Sequence, residues 1–214
     1  MKKDRTNLIL VLIFIIGLSV MLYPTVSDYW NSRTQSRAVA TYNETVESMS
    51  EEDYEEMFQE AEAYNEALSQ VDMPFVNYDQ VEGYEDILDI SGTGIMGYVT
   101  IEKIRVELPI YHGTEDSVLQ IAAGHLQGSS LPIGGAGTHS VISAHRGLPS
   151  ARLFTELDEL EVGDTFTITV LDRQMTYQVD QIRIVEPQEI EELQIDPEKD
   201  YCTLMTCTPY GINT

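Results

Sequence analysis

Residues 8–23 form an unbroken run of apolar and weakly polar residues, preceded by Lys2, Lys3 and Arg5 and followed by Pro24 and the polar pair Ser27-Asp28. Inside hydrocarbon a backbone has to satisfy its own donors and acceptors, so a lone run of this kind can only be helix. Its sixteen residues give roughly 24 Å of helix, somewhat short of a ~30 Å hydrocarbon core but longer than the usual secretory apolar region. No Ala-x-Ala type cleavage site follows, and Tyr23, Tyr29 and Trp30 suit the outer headgroup belt. We read residues 1–30 as a basic cytoplasmic tail and an uncleaved signal anchor, with Pro24 marking the stop; a cleaved signal peptide is the alternative. The basic flank keeps the N-terminus inside, which predicts a cell-membrane protein with one N-terminal span and everything after Trp30 outside.

The remainder divides by composition. Between Ala38 and Glu102 there is no Lys or Arg, and residues 41–90 hold 16 acidic residues. Within this block, Tyr54, Met57, Phe58, Ala61, Asn65 and Leu68 recur at helical spacing behind a capping box of Ser50 and Asp53. The pattern predicts a helix over Glu51–Ser69, a preceding one over Asp28–Ser48, and an extended loop over 71–78. Residues 31–93 are therefore expected to be an acidic helical segment. From Gly94 onward, short apolar runs alternate with turn signals, which predicts a mainly β domain, a barrel or sandwich, over 94–214. The candidate strands are 97–101, 105–111, 140–145, 165–170, 175–179, 181–185 and 201–207, with a short helix over 149–160.

Formal charge is −24, and a surface so acidic repels a phosphate backbone, so no nucleic-acid partner is expected. Four histidines without zinc spacing, acids without the EF-hand pattern, and a glycine run, Gly134-Gly135-Ala136-Gly137, that opens a strand rather than a helix give no reason to expect a metal or a phosphate-bearing cofactor. Cys202 and Cys207 lie five apart on one predicted strand and so face opposite ways at ~16 Å of rise, too far to bond. Cys202 reads as a small buried hydrophobe. Cys207 ends its strand, where a thiol helped by an imidazole could act as a nucleophile. His145 also ends a strand, just before Arg146-Gly147-Leu148-Pro149, and is the best candidate partner. Histidines are more often packing residues, which is the reading for His112, His125 and His139.

Thr203-Leu204-Met205-Thr206-Cys207 resembles the TLxTC signature of sortases, and its continuation Thr208-Pro209-Tyr210-Gly211 resembles that of class C sortases, the pilin polymerases of Gram-positive bacteria. Gly97-Tyr98-Val99, Leu108-Pro109-Ile110-Tyr111-His112-Gly113, Gly124-His125-Leu126, Ser129-Ser130-Leu131-Pro132 and the segment from Ser143 to Ser150 resemble the same class in the same order. The resemblance implies a closed sortase β-barrel with short helices. It also implies that Cys207 attacks the Thr to Gly bond of an LPxTG-like signal, that a thioacyl enzyme forms, and that a pilin lysine resolves it to an isopeptide bond. His145 would carry the protons and Thr206 would help position substrate. The partners implied are pilin subunits bearing sorting signals and acceptor lysines.

Two departures accompany the resemblance. The arginine expected after the TC turn is not reached by Thr214, so the natural product is expected to continue into an arginine strand, and Arg146 is a poor substitute. The lid motif Asp-Pro-aromatic is present only as Asp72-Met73-Pro74-Phe75, in which Asp72 and Phe75 are the candidate lid residues. A housekeeping sortase, or a non-catalytic interaction module on the same barrel, are the alternative readings.

Overall fold

The computed structural model describes residues 2–209. Helix α1 spans Lys2–Glu47 without interruption, with Pro24 inside it, so the proline does not stop the helix as its position suggested. Proline withholds one N–H and crowds the preceding turn, but packing of the downstream half offsets this: Val39, Tyr42 and Val46 recur at helical spacing and are buried on the barrel. The Tyr42 hydroxyl donates to Met96 O (3.1 Å) and accepts from Leu171 N (2.8 Å). Helix α2, Glu51–Ser69, begins at the expected capping box of Ser50 and Asp53 and buries Phe58, Ala61, Tyr64, Asn65 and Leu68. Asn65 both donates to Leu131 O and accepts from Leu131 N, pinning α2 to the barrel.

Seven strands follow: β1 Ile95–Ile101, β2 Val106–His112, β3 Ala123–His125, β4 Thr138–Ser143, β5 Thr165–Val170, β6 Arg173–Gln178 and β7 Asp200–Met205. They form one sheet in the order β6-β5-β1-β2-β3-β4-β7. Among the described residues no ladder joins β6 to β7. The sheet curls until Tyr177 on β6 donates to Asp200 on β7 (2.9 Å), a nearly closed barrel whose seam is bridged by side chains. Inside lies a continuous apolar core that includes Val99, Ile101, Ile110, Ile142, Phe154 and Ile168.

Four local expectations differ from the structure. Residues 71–78 are not extended: after Met73 in a left-handed conformation (φ 51°), a short helix α3 covers Pro74–Asn77, Pro at its first position supplying a preset φ. Residues 181–185 form no strand, and Ile182 and Ile184 are exposed; alternation alone makes a strand only where a neighbour offers a ladder. Residues 149–160 are turns and a single 3-10 turn at Leu157–Glu159, because Phe154 N closes back on His145 O (3.1 Å) and Leu153 takes a positive φ of 42°. Their apolar side chains Leu153, Phe154 and Leu160 are nevertheless buried. Strand β3, too short and glycine-containing to stand out in the sequence, was not expected; it pairs parallel with β2.

Candidate active site

The site is set by the parallel ladder between β4 and β7, which runs from Thr138↔Asp200 to Ser143↔Met205. One step further Ala144 N donates to Met205 O (3.1 Å), and the Thr206 hydroxyl donates to Ala144 O (2.8 Å). Two residues beyond the last register pair the chains reach His145 and Cys207. Side chains two apart on a strand share a face, and neighbouring strands lie ~4.8 Å apart. His145 and Cys207 thus lie two residues past the last paired positions of two neighbouring strands, and both are half-buried.

Thr206 thus ties the segment carrying Cys207 to the segment carrying His145 with its hydroxyl. Arg146 next to His145 is engaged by Asp158 (2.5 Å). Arg173 lies 3.9 Å over the Phe58 ring and donates to Ile133 O, so these two guanidinium groups serve the scaffold. Asp72 is exposed, and Phe75 is half-buried on the turn after β3. A Cβ added at Gly128, where φ is 96°, would meet Pro74 O at 2.8 Å and Phe75 Cα at 2.9 Å, so this glycine is the seat on which the segment rests. The Tyr210-Gly211 part of the signature lies outside the described residues.

The other histidines hold packing positions. His125 on β3 is fully buried; its Nε2 donates to Ser130 O (2.8 Å), which leaves Nδ1 to accept from the Tyr84 hydroxyl (2.9 Å). Loss of solvent pushes its pKa down to about 4, so the ring is neutral at physiological pH. Burial likewise lowers His139, which reaches Gln194 O and the Thr203 hydroxyl and fastens the long β6–β7 connection to the barrel. His112 reaches Gly94 O and Ile87 O, and holds the approach to β1 against β2. The Tyr84–His125 pair was missed by sequence reasoning, since Tyr84 is 41 residues away and no local pattern links them. Cys202 packs on the core, and desolvation with nearby Asp200 pushes its thiol pKa up. Both cysteines are unbonded. Among the described residues no group of three or more His, Cys, Asp or Glu is arranged to hold a metal.

The sortase domain family matches residues 99–214, more than half the chain. The chain belongs to the sortase family. Among curated relatives, sortase D of Bacillus subtilis is 31% identical over 115 residues, covering 54% of this chain and 55% of that protein. Sortase A of Streptococcus agalactiae is 29% identical over 117 residues, covering 53% and 47%. The chain thus spans about half the length of the curated relatives it matches.

Among solved structures, this sortase is similar to sortase C1 of S. agalactiae (48% identity, TM-score 0.74, covering 83% of this chain and 93% of that one). It is similar to sortase C of Streptococcus pneumoniae (44%, 0.74, 83% and 91%). Sortase C of Clostridium perfringens, solved with the C-terminal cell wall sorting motif, is 39% identical with a TM-score of 0.71, covering 84% and 93%. The barrel with its N-terminal helices is therefore of the class C type.

Proposed function

We propose that this sortase is a membrane-anchored cysteine transpeptidase that cleaves LPxTG-like sorting signals and joins pilin subunits by lysine isopeptide bonds. The observation that supports the proposal is the parallel β4/β7 register, whose last pair, Ser143↔Met205, lies two residues before His145 and Cys207 on the two neighbouring strands. The Cys207 thiol passes its proton to His145 as its sulfur attacks the threonine carbonyl, a C–S bond forms, and the threonine–glycine C–N bond breaks. His145 gives the proton that the leaving glycine amine requires. The thioester is then attacked by a neutral lysine Nζ, which passes a proton to His145; the C–S bond breaks as the C–N isopeptide bond forms, and His145 returns the proton to the sulfur, regenerating the thiol. The pilin type of acceptor is supported by the likeness to class C structures, one of which is described in terms of pilin substrate specificity. The apolar helix, in which an unburied window has a mean hydropathy of 2.5, supports the anchor, with the barrel outside the cell.

The test is the intact mass of the protein expressed from its complete gene after incubation with an LPxTG-type peptide. A gain equal to the peptide minus its glycine portion, removed by hydroxylamine and lacking in Cys207→Ala, is the expected result; no adduct would sink the proposal. The segment Asp72–Phe75 is proposed as the lid of this site, its seat on Gly128 being the support. Phe75→Ala then speeds alkylation of Cys207 several-fold, and an unchanged rate removes the lid.

A further inference from the structure

The end of the membrane helix and the turn after His145 are joined directly. Asp28 Oδ1 accepts from Arg152 N (2.9 Å), and Asn31 Nδ2 donates to Ser150 O (2.8 Å). One turn further, Gln35 Nε2 donates to Ile121 O (2.7 Å). These contacts bond α1 to backbone atoms of the barrel, so the barrel cannot swing freely on a linker; helix and barrel meet as one body from Asp28 onward.

The height of this junction follows from helix geometry. Crossing a ~30 Å core from Leu8 takes about 20 residues, which sets the hydrocarbon boundary near Val26. Asp28 then lies ~3 Å and Asn31 ~7.5 Å along the axis from that boundary, within a headgroup layer of roughly 5–8 Å. The same two turns expose Tyr29 (61%) and Trp30 (71%), the side chains that favour this layer. Arg33, which lies over the Tyr29 ring, and Arg152, whose side chain is 54% exposed and paired with Glu156, put guanidinium groups here in a chain of net charge −24. Anionic headgroups attract cationic groups near the surface, while the acidic remainder is repelled.

We propose that the barrel docks on the bilayer through the 146–152 turn, its lipid-facing surface formed by this turn with Tyr29, Trp30, Arg33 and Arg152. The strand ends carrying His145 and Cys207 then stand at the headgroup level, so a peptide bond is reached only a few extended residues outside the membrane. The inference rests on residues 8–26 being a retained anchor and is independent of the thioacyl chemistry.

The test uses the full chain in vesicles of phosphatidylcholine and phosphatidylglycerol containing a lipid with a nitroxide on its headgroup. In a Cys207→Ala background a bimane is attached at Ser150→Cys or, as the distal control, at Ser48→Cys, which lies ~33 Å along α1 from Val26. Quenching is expected to be at least threefold stronger at position 150 than at 48. A polar helical heptad inserted between Val26 and Ser27, which raises the barrel by ~10.5 Å, is expected to abolish that difference. Equal quenching at both positions in protein that floats with the vesicles overturns the docking and leaves the anchor standing. Protein that does not float overturns both, and neither result bears on the peptide adduct at Cys207.

Discussion

His125 gives the most quantitative prediction. Its ring is sealed beneath Tyr84 and the Ser129-Ser130 turn with no exposure, and its pKa falls from 6.5 to about 4. In the unfolded chain the ring takes a proton as pH drops below its ordinary value; in the folded chain it does not until near 4. Between these limits the unfolded state binds more protons, so this group's contribution is fully present above pH 6.5 and is lost as pH falls. At pH 4.5 the loss is about 2.5 kcal/mol, from about 1.4 kcal/mol per pH unit across the interval. At 2–4 °C per kcal/mol for a domain of this size, that is about 5–10 °C of melting temperature. The other acids titrate too, so the comparison is with His125→Gln, which retains a donor and an acceptor and has no charge to gain. Thermal unfolding of both proteins in detergent between pH 7 and 4.5 is the assay, read as the difference in slope against pH rather than the absolute melting point. The wild type is expected to lose about 5–10 °C more than the variant over this range; parallel slopes would refute the reasoning, because they would mean that the buried ring accepts its proton as readily as an exposed one.

Native protein treated with a charged thiol reagent is expected to take one label, at Cys207, and a second at Cys202 only after denaturation; mass spectrometry of Cys207→Ala should show no native label. Tyr42→Phe removes the hydroxyl that joins Met96 O and Leu171 N and is expected to cost about 2–4 kcal/mol, since two buried backbone groups lose a partner; a urea midpoint equal to the wild type's would show that the hydroxyl does not clamp α1 to the barrel. Thr206→Val releases the link to Ala144 O at the step before both site residues. It is expected to lower peptide acylation at least tenfold for about 1 kcal/mol of stability, and a variant with wild-type acylation would assign Thr206 to packing alone.

The shape of the site was legible in the sequence to an unequal degree. Cys207 and His145 stood out because each ends an apolar strand next to turn residues, a local pattern with a chemical meaning. Helix α2 was legible to its first residue, since the Ser50–Asp53 box and the apolar spacing both lie within a few residues of the bonds they make. The lengths of α1 and the fate of 149–160 and 181–185 were not, because each depends on what lies across space. Pro24 is tolerated where the flanking turns are held by other forces, 149–160 is closed by a bond to His145, and 181–185 finds no neighbouring ladder.

By itself the sequence determined an apolar helix behind a basic flank, an acidic helical block, a mainly β domain and a candidate thiol and candidate imidazole at two strand ends, because these follow from periodicity, charge and residue chemistry read within short windows. Only the tertiary structure decided that β4 and β7 run parallel in the register that ends at Ser143↔Met205, two residues before His145 and Cys207, that Tyr84 seals His125, and that Asp28 and Asn31 fasten the N-terminal helix to the turn after His145. Those contacts join residues from 41 to 124 positions apart. Their partners are chosen by the packing of the whole core and by ladder register, for which a single sequence carries no local signal.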